Sequence, residues 1–369
     1  MKALFLIFHG FDPANGISKK IHYQVEALKE NGVKTQLCFL SEENGKRRMV
    51  DKTIIADYGN GLKGKIYKRL EYRSIVRYVR ENRIDFVYIR SYHNANPFTI
   101  GMLRQLKKSG CRIVMEIPTY PYDQEYITPF MKMELFTDRC FRKKMAHLLD
   151  KIITFSDKKV IFGTETLQIS NGINFNALQL KKRQNDTSHE LHLIGVAEIH
   201  YWHGYDRLIQ GLAAYYKQPQ NYKIYFHLVG QFSGPRERKE IMFPIEDNQL
   251  GQYIIFHGRQ YGSALDHLFD QCDLGIGSLG RHRSGIDQIK TLKNREYAAR
   301  GIPFIYSETD ADFDNMPYIL KIPADESPVD LQSVLRFFYS LHQTPAEIRQ
   351  SVTDLSWKEQ MKRVLQAIE

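Results

Sequence analysis

The stretch LHLIGVAEI, Leu191 to Ile199, restarts in mid-chain a pattern that the first half has already run through. It reads as a buried strand, and the helix pattern GYDRLIQGLAAYYK follows it. Strand patterns KIYFHLVG and YIIFHG come next, then a helix near ALDHLFDQC, the strand DLGIGSL, a helix holding Glu296, and the strand IPFIYSE. Upstream, KALFLIF, VKTQLCFL, DFVYIRSY and CRIVMEIP alternate with helices, among them SKKIHYQVEALKENG and a long helix from Lys65. A polar, helix-rich stretch to Asp150 leads into KIITFSD and LQISNGINF. Apolar runs alternating with amphipathic helices predict parallel βαβ units whose sheets are covered on both faces. Between the two series lies NALQLKKRQNDTSHE, Asn176 to Glu190, which has no apolar period and reads as a linker.

The sequence therefore predicts an α/β protein of two doubly wound Rossmann-like domains, 1–178 and 179–369. A length of 369 residues fits that number at about 150 per domain. The terminal stretch PAEIRQSVTDLSWKEQMKRVLQAI reads as one helix, with Leu355, Trp357, Met361 and Leu365 at helical spacing, able to cross back to the first domain. Open α/β sheets bind ligands at the carboxyl ends of their strands, so two such crevices facing each other would enclose a cleft.

Charge is unevenly placed: residues 1–180 hold 30 Lys+Arg against 18 Asp+Glu, while residues 181–369 hold 22 against 24. The basic surplus of the first half points to an anionic partner. MKALFLIFHG is too short an apolar run for a signal peptide, and no segment approaches the length of a membrane span, so a cytoplasmic chain is expected, with the inner membrane face as a further station. Cys38, Cys111, Cys140 and Cys272 are scattered and read as reduced packing residues. Neither a metal site nor a cofactor is predicted.

The ordered set NGISKKIHYQVEALKENGV, SNGINF, WHGYDRLIQGL, HLVG, FHG and LKNREYAARGIPFI resembles the two-domain GT-B glycosyltransferases, and among them the retaining, family-4-like enzymes of bacterial polysaccharide assembly. The resemblance implies transfer of a sugar from a UDP- or GDP-linked donor to a glycan or polyprenyl-linked acceptor. It gives Glu296 the ribose hydroxyls of the donor, a task suited to a carboxylate that can accept from two vicinal hydroxyls. Taken alone, Lys293, Glu296 and Arg300 also fit a surface network at helical spacing.

The chain departs from the family's pattern at three places. Where relatives carry a second glutamate, Gln288 stands, beside Asp287. Where relatives hold the pyrophosphate with an arginine and a lysine, this chain has Ala197 and His203, the latter useful only if protonated. Lys293, or Arg281 and Arg283 in the loop GSLGRHRSG, could compensate, as could backbone N–H groups at helix starts near Gly285 and Gly16. Finally, CRIVMEIP ends on Pro118 where relatives place a histidine; Asp123 in TYPYDQE and His93 in SYHNANP are the acceptor-side and catalytic candidates, with a packed loop as the other reading.

The helix from Lys65 would align Lys65, Arg69, Arg73, Arg77 and Arg80 on one face, with Ile66, Leu70, Ile75 and Val79 facing the core. That stripe suits an anionic membrane surface, or simply a solvated face. A sugar-nucleotide epimerase or an inverting transferase would share the fold. A basic nucleic-acid-binding protein is the alternative from another class, but there is no nucleic-acid module and no interleaving of cations with stacking aromatics.

Overall fold

Strands covered on both faces need no polar alternation, and FVYIR, Phe86–Arg90, is buried at every position. A computed structural model describes residues 1–11, 16–43, 45–91, 95–123, 126, 128–182 and 189–369. His93 lies outside the described residues, as does part of the expected linker.

The elements in chain order are β1 (Lys2–Leu6), α1 (Gly16–Glu30), β2 (Lys34–Ser41), β3 (Arg47–Val50), β4 (Thr53–Asp57), α2 (Gly61–Leu70), α3 (Arg73–Glu81), β5 (Phe86–Arg90), α4 (Pro97–Lys108), β6 (Arg112–Ile117), α5 (Pro129–Ala146), β7 (Lys151–Thr154), β8 (Val160–Ile161) and β9 (Thr164–Gln168). They continue with β10 (Glu190–Ile199), α6 (Tyr205–Tyr215), β11 (Lys223–Phe232), α7 (Pro235–Asp247), β12 (Ile254–Gly258), α8 (Gly262–Gln271), β13 (Leu274–Ile276), α9 (Leu292–Arg300), β14 (Phe304–Tyr306), β15 (Ile319–Lys321), α10 (Leu331–Tyr339), α11 (Pro345–Gln350) and α12 (Trp357–Gln366).

The chain divides into two compact units, Met1–Ser170 with Trp357–Glu369, and Asn171–Ser356. The division falls at Ser170 and Asn171 rather than at 178 and 179, because Ile173 donates its N–H to Leu355 O and Arg349 reaches the carbonyls of Phe175 and Leu178.

In the first unit the sheet order is β4-β3-β2-β1-β5-β6-β7-β9-β8. Strands β2, β1, β5, β6, β7 and β9 form its parallel centre, while β3, β4 and β8 are antiparallel additions at the edges. One face packs Leu4, Val87, Ile113 and Ile152 under α3 and α4. The other packs Phe5, Tyr88 and Ile153 under α1 and α12. In the second unit all six strands are parallel, in the order β12-β11-β10-β13-β14-β15.

Two predicted helices are in fact broken. The one from Lys65 ends at Leu70, and α3 starts anew at Arg73, because Glu71 turns extended (φ −93°, ψ 110°) and its carboxylate accepts from the N–H and hydroxyl of Ser74 at 3.0 and 2.9 Å. Lys65 and Arg69 therefore do not share a helix face with Arg73, Arg77 and Arg80. Nor do the apolar residues share one, since Ile75 and Val79 are buried while Ile66 and Leu70 are exposed. The terminal stretch likewise divides into α11 in the second unit and α12 in the first, separated by a 3-10 turn at Thr353–Leu355. α12 is tied down by the Gln360 side chain, which accepts from Ser170 N at 2.8 Å, and by Trp357 and Met361 packed with Ile21 and Val25. Cys38, Cys111 and Cys272 are buried packing residues, but Cys140 is exposed.

A buried charge cluster spans the carboxyl ends of β5 and β6. Glu116, wholly buried, accepts from Arg90 at 2.5 Å, Lys20 at 3.2 Å, Gln24 at 2.6 Å and the Tyr88 hydroxyl at 2.6 Å. Burial by itself would raise its pKa, but Lys20 and Arg90, helped by the two neutral donors, bring it down to about 2.

Candidate functional site

Strand order in the second sheet reverses between β10 and β13, the crevice at which open α/β sheets take ligands. The loops leaving these two strands meet there. Leu279 donates its N–H to His203 O at 2.8 Å. Gly204 sits in the left-handed region (φ 63°), where a Cβ would lie 2.5 Å from Gly280 N, so the approach of the two loops requires glycine. The Tyr201–His203 turn, the Arg281–Ser284 turn, the first residues of α9 and the residues just past β14 surround this point.

Three of the predicted phosphate-side residues gather here. Lys293, on the first turn of α9, lies with Nζ 3.4 Å from the Tyr205 hydroxyl and 5.6 Å from its ring. The Tyr205 ring stacks on His203, their centroids 5.5 Å apart, and Arg281 lies over Trp202. His203 is buried, and its Nδ1 accepts from the His200 N–H at 3.0 Å, which leaves the ring hydrogen on Nε2. Burial, then Lys293 and Arg281, hold its pKa well below the usual imidazole range. His203 thus offers a neutral N–H donor, and the expectation that it must be protonated to contribute is corrected. Burial, reinforced by Arg281, likewise lowers the pKa of Lys293, although Glu308 opposes the shift. Arg281 thus opposes the charge of Lys293, both oppose a charge on His203, and an arriving anion would relieve them.

Glu308, Asn294 and Tyr205 belong to the cluster although they were not among the predicted site residues. Glu308 stands two residues past β14 and is 2% exposed; its Oε2 has no hydrogen-bond partner, while Oε1 accepts from Asn294 at 3.5 Å. Burial raises its pKa, with Lys293 as the largest opposing charge. The available signal was its place directly after the carboxyl end of a buried strand.

Other candidates lie elsewhere or are already occupied. Arg283 is clamped by Asp206 at 2.8 Å through both terminal nitrogens, by Glu326 and by Tyr201 O, so it stiffens the loop and is not offered to a ligand. Gly285 does not begin a helix: it closes a 3-10 turn in the left-handed region (φ 65°), with its N–H on His282 O, and α9 starts only at Leu292. Asp287 and Gln288 are exposed and run beside Thr309, whose N–H donates to Asp287 O at 2.7 Å. Glu296 lies on the following turn of α9, where its Oε1 accepts from Arg300 Nε and Nη2 at 3.0 and 2.9 Å. The helical pair with Arg300 therefore forms, while Lys293 turns to Tyr205 instead.

Gly16, in the first unit, opens α1. Asp123, also there, is held by Arg139 at 2.7 Å and Arg142 at 2.7 Å, and neighbouring Tyr122 donates to buried Asp138 at 2.6 Å, so these two residues are tied to α5. A pocket of about 630 Å³ opens past β1 and β2, lined by Phe8, His9, Phe11, Phe39, Glu42 and Thr137 among others. Burial, then Arg90 and Arg48, lower the His9 pKa against the pull of its hydrogen bond to Gly10 O. Among the described residues, no three His, Cys, Asp or Glu side chains are grouped to hold a metal ion, and no helix is long and apolar enough to cross a membrane.

No protein-family profile matches the chain. No curated protein is significantly similar to it in sequence. Solved structures are similar over its whole length. A glycosyltransferase from Rickettsia africae aligns with a TM-score of 0.64 at 13% identity, over 99% of this chain and 97% of that one. The sucrose-phosphate synthase of Thermosynechococcus elongatus aligns at 0.60 and 15% identity, over 100% and 94%. HepE of Anabaena, in complex with UDP, aligns at 0.59 and 14% identity, over 99% of each chain. At such identities the likeness speaks for architecture alone, and the architecture is that of the GT-B glycosyltransferases: two α/β units, each built on a parallel sheet.

Proposed function

We propose that this chain is a glycosyltransferase that moves a sugar from a nucleotide-linked donor, with retention, onto a glycan or lipid-linked acceptor in cell-surface polysaccharide assembly. The observation that carries the proposal is the gathering of Lys293, Arg281 and the His203 N–H at the strand-order reversal of the second sheet, where Arg281 lowers the pKa of Lys293 and both lower that of His203. A departing nucleoside diphosphate is the anion such a place would stabilise. HepE, one of the similar folds, holds UDP in one structure and UDP-glucose in another, which supports a uridine donor here.

Glu296 is proposed to take the ribose hydroxyls through Oε2, since Arg300 occupies only Oε1. The aromatic and acidic pocket past β1 is proposed to take the acceptor. With Lys293 and Arg281 neutralising the diphosphate, no metal is needed. UDP is expected to raise the melting temperature in the presence of EDTA, and the Glu296→Ala variant is expected to lose most of that increase. Equal protection of the variant would remove the ribose assignment; no protection of the parent chain by any nucleoside diphosphate would remove the proposed activity.

A further inference from the structure

Helix α2 buries little of itself: of its ten residues only Gly64 is buried, and Lys68 is paired with Glu42 at 2.7 Å. Leu62, Ile66 and Leu70, four apart and so on one face, are 74%, 47% and 41% exposed. Arg69 links this helix to α5, 3.5 Å from Glu134 and 5.8 Å from the Phe130 ring. On α5, Phe130, Met133 and Phe136 are 53%, 60% and 70% exposed. Leu70 also stands at one end of a groove of about 680 Å³ between α3 and α4, whose apolar lining includes Tyr72, Val76, Phe98 and Met102. Soluble domains seldom leave so many large apolar side chains exposed on neighbouring helices without a partner.

Charge identifies the occupant. α2 and α3 together carry seven Lys and Arg against one acid, Glu81. Arg73, Arg77 and Arg80 line the groove; Arg80 is held by Gln105 and Ser109, whereas Arg73 and Arg77 form no hydrogen bond or ion pair with any described residue. Bulky apolar side chains beside unpaired bases on short surface helices have the chemistry of an interfacial lipid contact. The break at Glu71 ends α2 so that Leu70 lines the same groove as the arginines of α3.

We propose that this face seats the chain on an anionic phospholipid bilayer. The apolar stripe of α2 and the first half of α5 enter the headgroup boundary, Arg73 and Arg77 take lipid phosphates, and the groove between α3 and α4 takes an acyl chain. The inference rests on the first unit alone and stands whether or not the chain transfers sugars.

Flotation of the full chain with vesicles tests it, using phosphatidylcholine alone and phosphatidylcholine mixed with phosphatidylglycerol. Binding is expected only to the mixed vesicles. Arg73→Glu with Arg77→Glu should weaken it at least about tenfold, as removal of near-surface cations requires. Leu62→Ser with Phe136→Ser, at residues 74% and 70% exposed, should weaken it even at low salt. Equal binding to neutral vesicles, or no binding to either, would overturn the proposal. So would concentration-dependent dimerisation abolished by the same substitutions without vesicle binding, which would make the face a contact between two copies of this chain.

Discussion

Replacing Lys293 with alanine is expected to lower kcat/KM for sugar transfer by about 100- to 1000-fold, the usual cost of removing one preorganised group from a developing negative charge. The side chain stands on the first turn of α9, where the helix dipole also favours an anion, and it is turned toward Tyr205 rather than paired with a carboxylate. Burial, with Arg281, brings its pKa down to about 7 against the pull of Glu308, and a bound diphosphate is expected to raise it. Lys293→Arg should recover little, because a planar fork cannot occupy the place of a compact ammonium. Release of nucleoside diphosphate from the accepted donor is the readout. A variant whose loss appeared in KM alone, with kcat unchanged, would show that Lys293 binds the donor without favouring the transition state.

Glu116→Gln is expected to destabilise the first unit by about 3–5 kcal/mol, because it leaves Lys20 and Arg90 buried with no countercharge. The same residue sets an acid limit. Its folded pKa of about 2 lies below the ordinary value of 4.5, so the stability it contributes is fully present above pH 4.5 and is lost as pH falls from there toward 2. Denaturant midpoints measured across that window should fall in the parent chain and stay nearly flat in the variant. A midpoint in Glu116→Gln that matched the parent at neutral pH would mean that the cluster relaxes by admitting water.

The architecture was legible because buried parallel strands are continuous apolar runs: LHLIGVAEI, KIYFHLVG and DFVYIRSY could be read as strands without knowing their neighbours. Helix breaks were less legible. Ile66 and Leu70 continue the spacing of Ile75 and Val79, and nothing in the pattern reveals that Glu71 caps a new helix through Ser74. The hairpin of β3 and β4 was not legible either, since two successive arginines, Arg47 and Arg48, open β3, and Arg48 is fully buried and donates to Ile7 O at 3.0 Å.

At the candidate site, Lys293, Arg281 and His203 were visible in the sequence as candidates for the diphosphate, and the fold brings them together. Arg283 looked equivalent to Arg281 in GRHRSG, and only the fold brings Asp206 and Glu326 against one of them. Glu308 was hidden in plain sequence as the last letter of a strand pattern, because its burial depends on α9 lying across the strand ends.

The central claim is that a nucleoside diphosphate binds at the Lys293 cluster and restores its charge. Calorimetric titration of UDP near neutral pH, repeated in buffers of different ionisation enthalpy, measures the protons taken up on binding. The account predicts net proton uptake by the parent chain, with weaker binding and reduced uptake in Lys293→Ala. Binding of equal affinity and equal proton uptake in the variant would contradict it.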